Sequence, residues 1–360
     1  MLIGEAPIDQ VREMAIKNAI ANASFKAGAM VTAQDIVLNG LLVGSKVVLR
    51  THGLIRRAEV ISEVINNGIL TVTVKVDINH SKECFEAKYT KRLLINQFRL
   101  MKPKQASIGG LFELGRHISK RIEQQIDVQS DKSSVLLLDE AFSDMNVLDG
   151  LDRTEIASKA NYLGREYGYQ FALFGVIRDI SVFNRVKKKF LGEDVTTRRS
   201  FTIRLYLLDV YHQSIIQEES YHAETNWDFD LDEVVDLNSS IFWQSSYGRA
   251  VLDTVNGAIV DMLDVINCTP LLAQIIDTVA EGYIINLGTQ HGVKNGDYFT
   301  LNKIASTMLD RSFSTNFIRK VPNSQMQIIA TNKETSLVTF PNINNSVSAR
   351  LYDLLSPEEH

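Results

Sequence analysis

Cysteine is nearly absent from this chain: its 360 residues contain two, Cys84 and Cys268. Two cysteines are too few for a disulfide framework or a zinc site, although they can form one bridge in an oxidising compartment. Such a bridge would close a loop of on the order of 180 residues, worth at most about 5 kcal/mol in the chain-entropy account. No run of about 18 apolar residues occurs, so no segment reads as a membrane-spanning helix. Strong basicity is missing too. Lys and Arg number 38 against 43 Asp and Glu, a net charge of -5, which argues against a dedicated nucleic-acid binder. The one basic cluster, Arg185, Lys187, Lys188 and Lys189 followed by Arg198 and Arg199, reads as a solvated loop, with an anionic partner surface as the sharper alternative.

Catalytic signatures are also lacking. G-x-S-x-G, H-E-x-x-H, C-x-x-C and a complete P-loop do not occur. Gly110 and Gly115 have P-loop spacing, but Arg116 and His117 replace the required Lys and Ser/Thr, and a helical stripe runs through them. Asp228, Asp230 and Asp232 alternate as in a calcium loop, yet Glu233 and Ser239 stand where Gly and Glu are needed. His212 and His222 flank a predicted turn and would face each other across a hairpin, without a third ligand. Trp227, Phe229, Phe242 and Trp243 fall in a predicted loop and read as its anchor on the core, or as an exposed contact for a partner. The residues therefore supply no catalytic, cofactor-binding or metal set, and the reading is of a non-enzyme.

What is present is ordinary globular composition, 45% apolar and 22% charged, in a chain longer than one core of about 250–300 residues supports. Three successive modules follow from the pattern. Residues 2–8 predict a strand. Asp9 is an N-cap for a helix over 10–27 with Val11, Met14, Ala15, Ala19 and Ile20 on one face and Gly28 at its stop. After an Asn39-Gly40 turn and a strand over 46–50, residues 59–64 and 69–78 predict a hairpin, Leu70, Val72, Val74 and Val76 alternating with polar neighbours. This α+β unit ends near residue 80.

A charged connection over 81–92 carries Cys84. A strand over 92–101, a helix over 108–126 with the stripe Leu111, Leu114, Ile118, Ile122 and Ile126, and a strand over 135–138 buried on both faces follow. A helix capped by Asp152 or Thr154 runs to Tyr167. Then come an apolar strand over 169–182, the basic loop, strands over 200–210 and 214–223, and a long helix over 246–266. The second unit thus reads as helices on one side of a mostly antiparallel sheet. Beyond Pro270 no helical period appears, and short strands between turns predict a small barrel or sandwich. The polar stretch 305–320 predicts a mobile insertion.

The opening Gly4-Glu-Ala-Pro-Ile8, Lys17-Asn18-Ala19, Leu49-Arg50-Thr-His-Gly53 and the Leu70-to-Val76 strand resemble the N-terminal domain of the FlgT family. Tyr169-Gln-Phe-Ala-Leu-Phe-Gly175 and the long helix resemble its middle domain, an α/β-type unit related in architecture to the N-terminal domain of TolB. Gly288-Thr-Gln-His-Gly-Val-Lys-Asn-Gly-Asp297 resembles its C-terminal β domain. The resemblance implies an α+β multi-domain protein with modules over residues 1–80, 81–268 and 269–360, the last an all-β, barrel-like domain. It implies a periplasmic component of the H ring around the LP ring of a polar, sodium-driven flagellum, its export signal already removed. It also implies support of the MotX/MotY T ring that holds the stator, and self-assembly into a ring. Neither cofactor, small-molecule substrate nor nucleic acid is implied, and any membrane contact is peripheral to the outer membrane. The competing reading is a periplasmic envelope adaptor of TolB or CsgG type. A Cys84–Cys268 bridge would tie both ends of the middle unit together.

Overall fold

The computed structural model describes residues 11–12, 14–20, 37–38, 46–47, 49–50, 55–66, 68–78, 88–129, 133–141, 159, 162–163, 166–189, 192–308, 314–341 and 347–358. The expected strand 2–8, Asp9, Gly28, Asn39-Gly40, Cys84 and the caps Asp152 and Thr154 lie outside these residues.

Helix α1 (residues 11–12 and 14–20) buries Val11, Ala15, Ile16 and Ile20, the three- and four-residue spacing of one helical face. Three short strands follow: β1 (Val37–Leu38), β2 (Lys46–Val47) and β3 (Leu49–Arg50). β1 pairs with β3, and β2 pairs with β4 (Ile55–Asn66), which pairs antiparallel with β5 (Ile69–Ile78). Val11 and Ala15 pack on Leu70 and Val72. Thr71, Thr73 and Lys75 face outward, as the period of two requires.

The second sheet has seven strands: β6 (Lys91–Gln97), β7 (Arg99–Leu100), β8 (Ser133–Ala141), β9 (Phe171–Asp179), β10 (Val182–Lys189), β11 (Gly192–Asp209) and β12 (Ser214–Asn226). Their order is β10-β11-β9-β6-β8, with β12 also on β11 and β7 on β9. β6 runs parallel to β8 and β9, and β7 parallel to β9. β11 runs antiparallel to β9, β10 and β12. The sheet is therefore mixed rather than mostly antiparallel. The cause is helix α2 (Leu114–Gln129), which crosses between β6 and β8 and returns the chain in the same direction.

α2 starts at Leu114, not at residue 108. Two 3-10 turns precede it, Pro103–Ala106 and Leu111–Glu113. Gly110 at φ 65 adopts a left-handed conformation no helix continues through. Gly115 lets the helix approach the sheet, since a Cβ there would stand 2.1 Å from the Phe98 carbonyl oxygen. The chain is helical at positions 159, 162–163 and 166 and leaves the helix at Gly168. Short helix α3 (Ser240–Gln244) and long helix α4 (Ser246–Cys268) follow β12. Ser245 caps α4, its hydroxyl accepting from the Gly248 amide at 3.0 Å.

The sheet is covered on both faces, which explains its continuous apolar runs. Leu93, Ile95, Phe171, Leu173, Leu205 and Leu207 meet the α2 stripe and the α4 residues Val251, Val255, Ile259 and Ile266. Their neighbours Leu94, Ala172, Phe174, Tyr206 and Leu208 point the other way and meet Leu272 and Leu354, with Ile304 and Ile318 beside them. Val135 to Leu138 are only half buried, because among the described residues β8 is an edge strand.

The remaining strands, β13 (Ala273–Val279), β14 (Gly282–Ile285), β15 (Tyr298–Met308), β16 (Ser314–Thr331), β17 (Ser336–Thr339) and β18 (Leu354–Pro357), close in the order β13-β14-β17-β16-β15-β18. Ile275, Ile285, Phe299, Leu301, Met326, Ile328 and Val338 fill the interior. Two predicted loops are hairpins instead. Residues 305–308 and 314–320 extend β15 and β16, paired out to Met308 opposite Ser314. The basic stretch forms β10 and the start of β11, paired from Val182–Arg199 to Lys189–Gly192. In both, polar residues alternate along a ribbon, a pattern easily read as loop.

Candidate functional site at the sheet–barrel junction

Residues 88–92 enter β6 from the charged connection, and each one binds something distant in sequence. The Lys88 ammonium donates to Asp297 Oδ1 at 3.0 Å, and the Tyr89 hydroxyl donates to Asp297 Oδ2 at 3.2 Å. Burial pushes the Asp297 carboxyl up, but the Lys294 amide and the Lys88 ammonium outweigh it and hold the group below its ordinary value. The Tyr89 ring is buried inside the barrel, 5.8 Å from the Phe299 ring centroid. The Thr90 amide donates to the His291 carbonyl at 3.0 Å.

Lys91 and Arg92 tie this segment to the helical layer and to the second face of the sheet. Lys91 is buried at the C-terminus of α4. Its ammonium donates to the carbonyls of Ile266 at 2.6 Å, Asn267 at 2.8 Å and Thr269 at 2.5 Å. These carbonyls cluster where α4 ends, at the negative end of its dipole, and the Ile266 carbonyl also accepts from the Thr269 amide at 3.1 Å. Burial pushes the Lys91 ammonium down to about 8. The Arg92 guanidinium lies over the Tyr169 ring at 4.0 Å and donates to the Asn286 carbonyl at 3.1 Å.

Asn286 is the centre of the polar contacts between sheet and barrel. Its Nδ2 donates to the Gly168 carbonyl at 2.7 Å and to the Tyr211 oxygen at 3.0 Å, and its Oδ1 accepts from the Gln274 amide at 2.7 Å. Burial pushes the Tyr211 phenol up to about 12. Gln170 bridges the same boundary, donating to the Pro270 carbonyl at 2.8 Å and accepting from the Leu272 amide at 3.0 Å. At the far side Asn316 of the long β15–β16 hairpin donates to the Tyr211 carbonyl at 2.9 Å. These groups bind mostly backbone atoms, an arrangement that fixes orientation.

The residues singled out by sequence are scattered. Cys268 ends α4 and is disulfide-bonded. His212 and His222 do not meet: His212 Nδ1 contacts Asp209 at 2.8 Å in the turn, and His222 Nδ1 contacts the Thr202 hydroxyl at 2.8 Å across the ladder. Asp228 accepts from the Ser246 amide and Asp236 from the Asn238 amide. Among the described residues no group of three or more His, Cys, Asp or Glu is placed to hold a metal. Trp227, Phe242 and Trp243 are buried in the helical layer with Phe229 packed against it. Arg198 and Arg199 are also buried: Arg198 pairs with Glu224, and Arg199 donates to the carbonyls of Ile180, Ile108 and Gln105 at 3.0, 2.9 and 3.0 Å. Of the junction itself, the sequence presents Tyr169, Gln170, His291 and Asp297 only within the stretches that resemble the family, and Pro270 only as a boundary. Tyr89, an aromatic inside a charged stretch, was the available signal for the rest.

Two family models match this chain in succession: flagellar assembly protein T, N-terminal domain, over residues 2–80, and flagellar assembly protein T, middle domain, over residues 82–237. No curated protein matches. Among solved structures, the hypothetical protein CT253 from Chlamydia trachomatis is 16% identical at a TM-score of 0.35, covering 50% of this chain and 98% of its own. The PelC dodecamer from Paraburkholderia phytofirmans is 9% identical at a TM-score of 0.28, covering 50% of this chain and 91% of its own. Lipoprotein GNA1162 from Neisseria meningitidis is 11% identical at a TM-score of 0.26, covering 48% and 97%. At such TM-scores these likenesses carry no further conclusion.

Proposed function

Since this chain belongs to the flagellar assembly protein T family, we propose that it is a structural, non-enzymatic part of the flagellar basal body. It builds the periplasmic H ring around the LP ring and supports the MotX/MotY T ring, so that the stator of a sodium-driven motor is held in place. The observation that carries this reading is the match of both family domains, in order, over residues 2–237. In this reading the modules span residues 1–80, 81–268 and 269–360, and the middle one shares its architecture with the N-terminal domain of TolB. The last two act as one rigid piece, in keeping with the junction around Asn286 and residues 88–92.

Cys84 is the partner of Cys268 in this reading. Cys268 is bonded and the sequence holds no third cysteine, which supports the pairing. Thiol titration of the denatured, unreduced protein should find no reactive thiol, and two reactive thiols would reject the bridge.

Deletion of the gene tests the main reading. Non-motile cells whose basal bodies lack the outer ring and do not retain MotX and MotY are the expected result. Motile, normally ringed cells would overturn it, and a defect confined to secretion or outer-membrane transport would point to the envelope adaptor instead.

A further inference from the structure

We infer that the β10–β11 ribbon of one copy docks on the segment 228–239 of a second copy of this chain, an inference that rests on the ring reading and supplies it with a contact. The ribbon leaves the sheet as two strands, paired from Val182–Arg199 to Lys189–Gly192. Among the described residues β10 has no strand on its outer edge. A two-stranded ribbon is marginal in water by itself. This one also exposes apolar side chains: Val186 at 50% and, directly opposite, Val195 at 55%.

The segment that follows β12 has the complementary character. It exposes Leu231 and Val234, the latter at 78%. Val234 lies against Gly110, two residues from the exposed Phe112, and the exposed Ile241 follows at the start of α3. Exposed apolar groups gathered in this way mark contact surfaces.

Charge decides which surfaces can meet. β10 carries Arg185, Lys187, Lys188 and Lys189 and no acid. Glu193 and Asp194 offset two of these four, leaving residues 182–197 at +2; Arg198 and Arg199 at the base of the ribbon are buried, and Arg198 is paired with Glu224. Residues 228–239 carry Asp228, Asp230, Asp232, Glu233 and Asp236 and no Lys or Arg, a charge of -5. The bonds made by Asp228, Glu233 and Asp236 go to amides, which leave that charge in place. Lysines along a free edge repel a second such edge, so ribbon against ribbon is disfavoured and ribbon against the acidic segment is favoured. Both surfaces start from one place, since the Trp227 amide donates to the Thr197 carbonyl at 3.0 Å. A two-fold pair would form the contact twice, and a rotated arrangement would hand it on around a ring.

Sedimentation of the purified full chain tests the contact, while the deletion strain tests the ring reading separately. The wild type is expected to associate with rising concentration and to dissociate with rising salt. A ribbon variant (Arg185→Glu, Lys187→Glu, Lys188→Glu) and a segment variant (Asp230→Lys, Asp232→Lys, Glu233→Lys) should each stay monomeric alone. Mixed in equal amounts they should associate again, because each now complements the other. The single substitution Val234→Lys should weaken association with the fold unchanged by circular dichroism. A wild type that stays monomeric at every concentration overturns the inference, as does a folded variant that associates like the wild type, or a mixture no different from its parts.

Discussion

Tyr89 donates its phenolic hydrogen to Asp297, 208 residues further along the chain, across 3.2 Å. Its ring meanwhile fills part of the barrel core against Phe299. The barrel strands all lie beyond residue 272, yet their core is completed by a residue that precedes the first strand of the other sheet. Tyr89→Ala removes a large buried aromatic and should lower stability by about 3–5 kcal/mol. Tyr89→Phe keeps the packing, loses the hydrogen bond and should cost about 1 kcal/mol. Urea unfolding of both variants gives the comparison, and equal effects would show that the ring does not contribute to packing.

Arg199 is the counterpart inside the helical layer. It is fully buried, its three hydrogen bonds end on backbone carbonyls, and its guanidinium lies 4.4 Å from the Trp227 ring centroid. Arg199→Met strands those three carbonyls and should cost on the order of 3 kcal/mol or more. Arg199→Lys should restore little, because an ammonium cannot reproduce the planar fork or the stacking. A chemical-denaturation midpoint for Arg199→Lys close to wild type would refute this account.

His291 should make the barrel acid-sensitive. Its side chain is fully buried, and Nδ1 accepts from the Gly288 amide at 2.9 Å, a role only the neutral ring can fill. Burial, followed by the charge of Arg92, lowers it from 6.5 to about 4. Between those values the unfolded chain binds more protons than the folded one. Stability therefore falls as pH drops from about 6.5 towards 4, by at most about 1.4 kcal/mol per unit. Above 6.5 this group adds no slope. Melting temperatures of wild type and His291→Asn should differ most at neutral pH and converge as pH falls. A constant difference would exclude His291 as the titrating group.

How much of this was legible follows from the range of each interaction. The α4 stripe Val251, Val255, Ile259 and Ile266 and the β5 alternation from Leu70 to Val76 are local periodicities, and the sequence displays them directly. The ribbons around Arg185 and Phe317 look like loops in the sequence because β pairing is decided by a partner strand, not by local composition. The mixed sheet is hidden in the sequence for the same reason: strand direction depends on where α2 sends the chain. Least legible was the junction. Lys91, Arg92 and Asn286 are ordinary polar residues until the barrel is laid on the sheet, and their partners lie 175 to 194 residues away for Lys91–Ile266 and Arg92–Asn286.

The same junction predicts how the protein unfolds. Leu94, Phe174, Tyr206 and Leu208 on the sheet share one apolar cluster with Leu272 and Leu354. Separating the two bodies would expose that surface, withdraw Tyr89 from the barrel and leave the carbonyls around Asn286 without donors. Each step is unfavourable on its own, so residues 88–358 should unfold as one cooperative unit. Calorimetry should give a single transition for this region, and hydrogen exchange should give similar protection for β9 and β15. Asn286→Ala should lower both by a similar amount, about 1–3 kcal/mol. If the barrel instead melted first and left the exchange rates of β9 unchanged, sheet and barrel would be independent domains, and the contacts at residues 88–92 would serve only to align them.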